Sequence, residues 1–257
     1  MNPYLAYLER LSRLITDDGA RLPLGAAALP PAAPVPTPAA DAPVLLIMSP
    51  HPDDECIIGG LPLRLARERG FRIVNLAVTQ GSKRARQQER REELAAACAR
   101  LGFELVTLGE RGLEQINPRC RVTHQDNWRA AVAQVAEVLA RYRPLMVAFP
   151  HAQDYNTTHI GVHLLAREAM ASLGQDFACL TLETEFWQPM AEPNLLVELT
   201  LEQAAELQAA LACHVGELQR NPYHLSMPAW LQDCHRRGAE VVLGQGGQAP
   251  GGIFATL

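Results

Sequence analysis

No stretch of about 18 uncharged apolar residues occurs in the chain, which argues against a transmembrane helix. The amino terminus, Met1-Asn2-Pro3-Tyr4-Leu5, lacks a basic segment followed by an apolar core, so no signal peptide is expected. The six cysteines (Cys56, Cys98, Cys120, Cys179, Cys213 and Cys234) form no C-x-x-C pair and no framework spacing. That is the pattern of reduced thiols, and with the two preceding absences it points to the cytoplasm. Charge of one sign is also scarce. A net charge of −5 over 257 residues gives no reason to expect nucleic acid or an anionic membrane as partner. The phosphate-cradling sequence Gly-x-x-x-x-Gly-Lys is missing, which disfavours nucleotide hydrolysis. The Gly-rich tail, Gly244 to Gly252, follows Val241-Val242-Leu243 but precedes no helix, so it reads as a loop and lacks the dinucleotide-binding context. No internal repeat is present.

What is there is apolar sequence, 48% of the chain, enough for one large core. Leu5, Leu8, Leu11 and Ile15 are spaced as on a helix over residues 4–16. Residues 22–43, rich in Ala and Pro, read as an extended arm. We therefore divide the chain into a helix and arm, 1–43, and a single domain, 44–257. Within the domain the pattern predicts strands at 44–49, 72–79, 104–108 and 145–150, and helices near 57–69, 84–101, 124–142 and 158–173. Gly70 and Gly102 follow two of those helices as C-terminal caps. The alternation predicts an α/β fold, Rossmann-like, with a mostly parallel sheet and helices on both faces. Beyond residue 178 a mixed α/β part is expected, with strands at 178–186 and 194–200 and helices near 201–219 and 228–237. The amino-terminal helix and arm are suited to subunit contacts in a homo-oligomer.

Chemistry concentrates where two strands end. His51-Pro52-Asp53-Asp54-Glu55 follows the apolar run Val44–Met48, and ligands of open α/β sheets bind at that carboxyl edge. A solvated Pro-Asp turn is the bland alternative, and a second cluster at the same edge weighs against it. That cluster, His151-Ala152-Gln153-Asp154-Tyr155-Asn156-Thr157-Thr158-His159, begins where the 145–150 strand ends. His51, either Asp53 or Asp54, and one downstream His would make a two-His, one-carboxylate metal site with positions open to water or substrate. The spare carboxylate would then be free to act as a base.

These residues carry a resemblance. His51-Pro52-Asp53-Asp54-Glu55 after a strand resembles the opening motif of the LmbE-like/PIG-L N-acetylglucosaminyl deacetylase family. Thr79-Gln80-Gly81-Ser82, Arg90-Arg91-Glu92-Glu93-Leu94 and Leu101-Gly102-Phe103 resemble its second strand, loop and Arg-x-x-Glu helix. His159-Ile160-Gly161-Val162-His163 resembles its distal ligand motif, so the likeness spans about residues 44–175. The resemblance implies that His51, Asp54 and His159 bind zinc or another divalent metal, that Asp53 is the general base, and that Arg90 contacts a sugar. It also implies hydrolysis of the N-acetyl group of a small amino-sugar conjugate. One departure stands out: the family's His-Pro-Asp-His is here Asn156-Thr157-Thr158-His159. His151 or Asp154, on the same loop, is the expected substitute for the missing acid-side His.

Other residues have blander readings. His163 reads as helix packing, Glu55 as a holder of backbone N–H groups, Cys56 as a small buried residue, and the three tryptophans as packing. Arg90 and Arg91 lie in the charged run Lys83–Glu93, by default a solvated helix face. Two rival functions remain: a non-catalytic sugar-binding module on this fold, favoured by the altered distal motif, and a non-haem iron oxygenase using His51, Asp53 and a distant His.

Overall fold

A computed structural model describes residues 2–109, 111–247 and 251–257. Glu110 of the 109–123 loop and Gln248-Ala249-Pro250 of the Gly-rich tail lie outside the described residues. From the amino end the elements are α1 (Pro3–Arg13), β1 (Val44–Ser49), α2 (Asp54–Ile57), α3 (Gly60–Arg69), β2 (Arg72–Ala77), α4 (Gln87–Leu101) and β3 (Glu104–Thr107). There follow α5 (Pro118–Thr123), α6 (Gln125–Tyr142), β4 (Met146–Pro150), α7 (Thr157–Ser172) and β5 (Leu180–Thr184). The chain ends with β6 (Val197–Leu199), α8 (Leu201–Leu211), α9 (Val215–Leu218), α10 (Tyr223–Val241) and β7 (Phe254–Thr256).

Five parallel strands form the central sheet in the order β3-β2-β1-β4-β5. The strand order reverses between β1 and β4, so the loops leaving their carboxyl ends diverge and open a crevice. Side-chain alternation along the strands divides the core in two. Leu45, Ile47, Ile73 and Ala148 face a cluster completed by α3, α4 and α8, whereas Leu46, Met48, Val74, Leu76, Val147 and Phe149 face α6 and α7. The expected α/β fold with helices on both faces is what the chain adopts.

The carboxyl-terminal third differs from expectation in detail. Residues 180–184 continue the parallel sheet as its fifth strand, and β6 pairs antiparallel with β7, a strand too short to give a periodic signal. The helix expected at 201–219 breaks at Ala212–His214, where the Ala212 carbonyl accepts a hydrogen bond from the Gly25 N–H of the arm (2.8 Å). The helix expected at 228–237 begins at Tyr223 and contains Pro228. Proline lacks the N–H that would bond the His224 carbonyl, and the Gln208 amide donates to that carbonyl instead (2.6 Å).

The arm lies on the body: Leu24, Leu29 and Val35 pack on the first core cluster, and Arg100 donates to the Pro30 carbonyl (2.9 Å). By contrast, α1 buries none of its residues, and Tyr4, Leu5, Tyr7 and Leu8 are all more than half exposed. Among the described residues no helix is long and apolar enough to cross a membrane.

Candidate active site

At the carboxyl end of β1 the backbone turns sharply into α2. Asp53 carries the turn with φ 111° and ψ −28°, a conformation that costs a non-glycine residue about 1–3 kcal/mol. Side chains of the same motif hold it there. The Asp54 carboxylate accepts the His51 N–H (2.8 Å), and the Glu55 carboxylate accepts the Asp53 N–H (3.0 Å). Glu55 is thus a backbone holder, fully buried. Its second oxygen faces His214 Nε2 at 2.8 Å and accepts the Cys56 thiol at 3.2 Å. His214 sits behind the motif at the α8–α9 break, itself buried.

The loop after β4 brings the second cluster to the same place. His159, in the first turn of α7, faces Asp54 Oδ2 and His51 Nδ1, each at 3.3 Å, and His51 Nδ1 is 3.3 Å from Asp54 Oδ2. Three donor atoms thus converge at one mutual separation. Donors about 2.0–2.1 Å from a single tetrahedral ion lie roughly 3.3 Å apart, so a nitrogen–nitrogen–oxygen set of this kind fits a divalent first-row metal. Burial pushes the His159 imidazole down, but Asp54 and Asp154 outweigh it and raise it to about 9. Burial acts upward on Asp54 too, yet His159 and His51 hold it below the usual carboxylate range. The site therefore attracts a cation, and protons compete with metal for it.

Asp154 and His151 surround this centre rather than line the cleft. Asp154 Oδ2 lies 3.5 Å from His159 Nδ1, while its carboxylate accepts the N–H groups of Asn156 (2.7 Å) and Trp187 (3.2 Å). A carboxylate behind a ligating imidazole fixes its ring orientation and tautomer. The buried His151 accepts the Gln153 N–H at Nδ1 (3.3 Å), which leaves Nε2–H to donate to the Gln188 carbonyl (2.8 Å). His163 bonds the Pro150 carbonyl (3.0 Å) and packs on Phe149, as expected of a helix-packing residue.

A cleft of about 630 Å³ opens above the triad, lined by His51, Asp53, Asp54, Arg90, Asn156 and Thr158 among others. Burial, then the neighbouring Asp54, raises Asp53 well above the ordinary carboxylate value, and Arg90 partly offsets them. Arg90 donates to the Pro52 carbonyl (2.9 Å) and lies 3.8 Å from Asp53 Oδ2. It reaches there over Gly81, where a Cβ would lie 2.3 Å from Nη1 and where φ is +79°. Asn156, at the family's His position, caps α7: its Oδ1 accepts the Thr158 N–H (2.8 Å), which leaves its amide Nδ2 as the donor group.

Sequence reasoning missed several contributors. Glu217, Arg220 and Tyr223 line the cleft from the α9–α10 region, and Trp187 lines it after β5 instead of packing inside. The Trp187 and Tyr223 rings are 5.2 Å apart. None of these residues belongs to a spaced motif, and only their fold brings them to the sheet edge. The link between Glu55 and His214 was equally hidden, because 159 residues separate the partners.

Residues 46–170 match the family model for GlcNAc-PI de-N-acetylase, PIG-L. No curated protein matches the chain. Among solved structures, N,N'-diacetylchitobiose deacetylase from Pyrococcus horikoshii is similar, at TM-score 0.57 and 16% identity, over 97% of this chain and 90% of that one. The zinc-inhibited form of teicoplanin deacetylase Orf2 aligns at TM-score 0.54 and 15% identity, over 83% of this chain and 96% of that one. The 4-carboxy-2-hydroxymuconate hydratase GalB from Pseudomonas putida aligns at TM-score 0.60 and 18% identity, over 83% and 94%. At such identities these likenesses establish the shared fold, and the hydratase shows that the fold hosts more than one reaction. The family match is what supports a deacetylase enzyme.

Proposed function

We propose, from the match of residues 46–170 to the PIG-L family model, a zinc-dependent hydrolase that removes the N-acetyl group from a small amino-sugar conjugate. The observation that carries this reading is the convergence of His51, Asp54 and His159 at 3.3 Å spacing beneath a cleft lined by Asp53. His51, Asp54 and His159 would hold the metal, with Asp154 orienting His159 from behind. A metal held there would supply Lewis-acid chemistry, polarising the acyl oxygen and making a bound water more acidic.

The chain's own groups supply the rest. Asp53, held at the floor of the cleft, takes a proton from the attacking water and delivers one to the leaving nitrogen. The amide C–N bond breaks, water contributes its oxygen to acetate, and the sugar leaves as the amine. Asn156 Nδ2 donates towards the developing oxyanion, in the place where the family has a His. Arg90 contacts the sugar beside Asp53, and the Trp187 and Tyr223 rings give it an apolar wall. His151, with both ring nitrogens engaged, serves in this proposal by pinning the loop that carries Asp154. The free thiols of all six cysteines support a reducing, cytoplasmic setting. The exposed apolar residues of α1 support subunit contacts.

Asp53→Asn tests the reading. Metal content and ligand binding should stay at wild-type levels while amine release falls by about 10²–10⁴-fold. A variant that keeps the wild-type rate would remove Asp53 from the chemistry. If the wild type bound amino sugars but hydrolysed none, the non-catalytic binding module would be the better account.

A further inference from the structure

We propose that His214 is a positioning residue for the hydrolytic step, holding the backbone of Asp53 through Glu55, and that the Pro- and Ala-rich arm sets how firmly it does so. This inference rests on the reading of Asp53 as the base and concerns what keeps that base in place. His214 belongs to no motif of the sequence and does not line the cleft.

Strain at Asp53 is the starting point. Its φ is 111°, and a change of that angle would re-aim the carboxylate that lines the cleft. A non-glycine residue keeps such a conformation where neighbouring groups over-determine it. The Asp53 N–H is answered by the Glu55 carboxylate (3.0 Å), which must therefore keep one orientation. The other Glu55 oxygen fixes that orientation, through His214 Nε2 at 2.8 Å and the Cys56 thiol at 3.2 Å. Cys56 adjoins Glu55 in α2, so the bond to His214 is the tie to a separate element. Glu55 and His214 are 0% and 1% exposed, and water cannot replace either partner. A buried ionic pair adds little stability over apolar side chains of the same volume. Such side chains would fill the space as well, but they could not hold the Asp53 N–H.

His214 is held in turn by the arm. It stands in the break between α8 and α9, with φ −83° and ψ 59°, outside helical geometry. On one side of it the Ala212 carbonyl accepts the Gly25 N–H (2.8 Å). On the other, a Cβ at Gly25 would lie 3.2 Å from Val215 Cγ2. Gly25 has φ +87°, so glycine serves both the turn and the close approach. Leu24 and Leu29 of the arm pack on the core cluster that contains Ala212, Cys213 and Leu218, and with them Cys56 and Ile57 of α2. The path from arm to base is continuous: Gly25, the break at Ala212–Val215, His214, Glu55 and Asp53. Loosening the arm slackens the break, and a slack break frees Glu55.

The test combines hydrogen exchange with turnover on the zinc-loaded full chain. His214→Leu, His214→Gln and the arm pair Leu24→Ala with Leu29→Ala are each compared with the wild type. Exchange of backbone amides over residues 51–58 should quicken about fivefold or more in His214→Leu and in the arm pair, and return towards the wild-type rate in His214→Gln. Turnover should fall about tenfold or more in His214→Leu, with KM within about twofold and zinc content unchanged. Added to His214→Leu, the arm pair should lower turnover no further, because both act on one path. Should His214→Leu not fold, His214→Asn takes its place, since it keeps a polar side chain too short to reach Glu55. Wild-type exchange over 51–58 in that variant, a loss that glutamine does not recover, or additive effects of the arm pair would overturn the inference. Exchange is read whether or not any substrate is turned over, so a failure of the deacetylase reading is scored apart from it. An inactive Asp53→Asn beside a fully active His214→Leu would keep Asp53 as the base and remove His214 from its support.

Discussion

The floor and the outer wall of the cleft are built by different physics. Floor residues come from loops that leave β1 and β4, and they are almost sealed from solvent: the side chains of Asp54 and His159 are 3% and 0% exposed. Each is held by at least one further protein group, so their geometry is established before any ligand arrives. The wall comes from the segments after β2 and β3 and, in part, from the chain beyond residue 170. Trp187 is 41% exposed and the Arg220 side chain 42%, and both can adjust to what binds. Reaction chemistry sits where the fold is rigid, and recognition sits where side chains are free to vary. Glu55 and His214 join the two regions, because the same carboxylate holds the Asp53 backbone and a carboxyl-terminal histidine.

Substitutions can break this contrast, and the floor should respond most. His159→Ala removes a converging donor, so zinc per chain measured by elemental analysis should drop by about tenfold or more. An unchanged zinc content would place the metal elsewhere. Next in size is the link between the regions. His214→Leu removes one of the three groups that the buried Glu55 carboxylate bonds, which should lower unfolding free energy by about 1–3 kcal/mol in denaturant titration. The turnover number should fall with it while KM changes little, and His214→Gln, which keeps an N–H donor, should recover most of both. Asn156→Ala tests the floor more gently. Loss of the α7 cap should cost about 0.5–2 kcal/mol of stability, read from thermal unfolding. Leu8→Ser, on the unburied face of α1, should move monomer stability by no more than about 0.5 kcal/mol. A larger loss that depends on protein concentration would show that this helix is covered by another subunit.

The same division governs what could be read from the sequence. β1, β2 and β4 are short apolar runs bounded by turn residues, and the helices that follow them carry a clear period, so the parallel sheet was legible. That His51, one of two aspartates and a downstream His would meet was legible because these residues follow strand ends, where an α/β fold gathers functional groups; the choice of Asp54 and His159 came from the family resemblance. Less could be read where structure depends on distant partners. The break after Leu211 is stabilised by the arm, and Pro228 is tolerated because Gln208 answers a freed carbonyl. Trp187 looked like a packing residue because an exposed tryptophan has no signature of its own. Glu217 sits in a helical run of ordinary composition, and only the folded chain reveals the three arginines around it.

The most direct test of the central claim is amine release from a panel of N-acetylated amino-sugar conjugates, neutral and anionic, by metal-stripped and zinc-restored protein in parallel. The account predicts release only after zinc is restored, with stoichiometric metal and loss of the activity in Asp53→Asn. Equal release by stripped and restored protein, or none from any conjugate at full zinc occupancy, would contradict it.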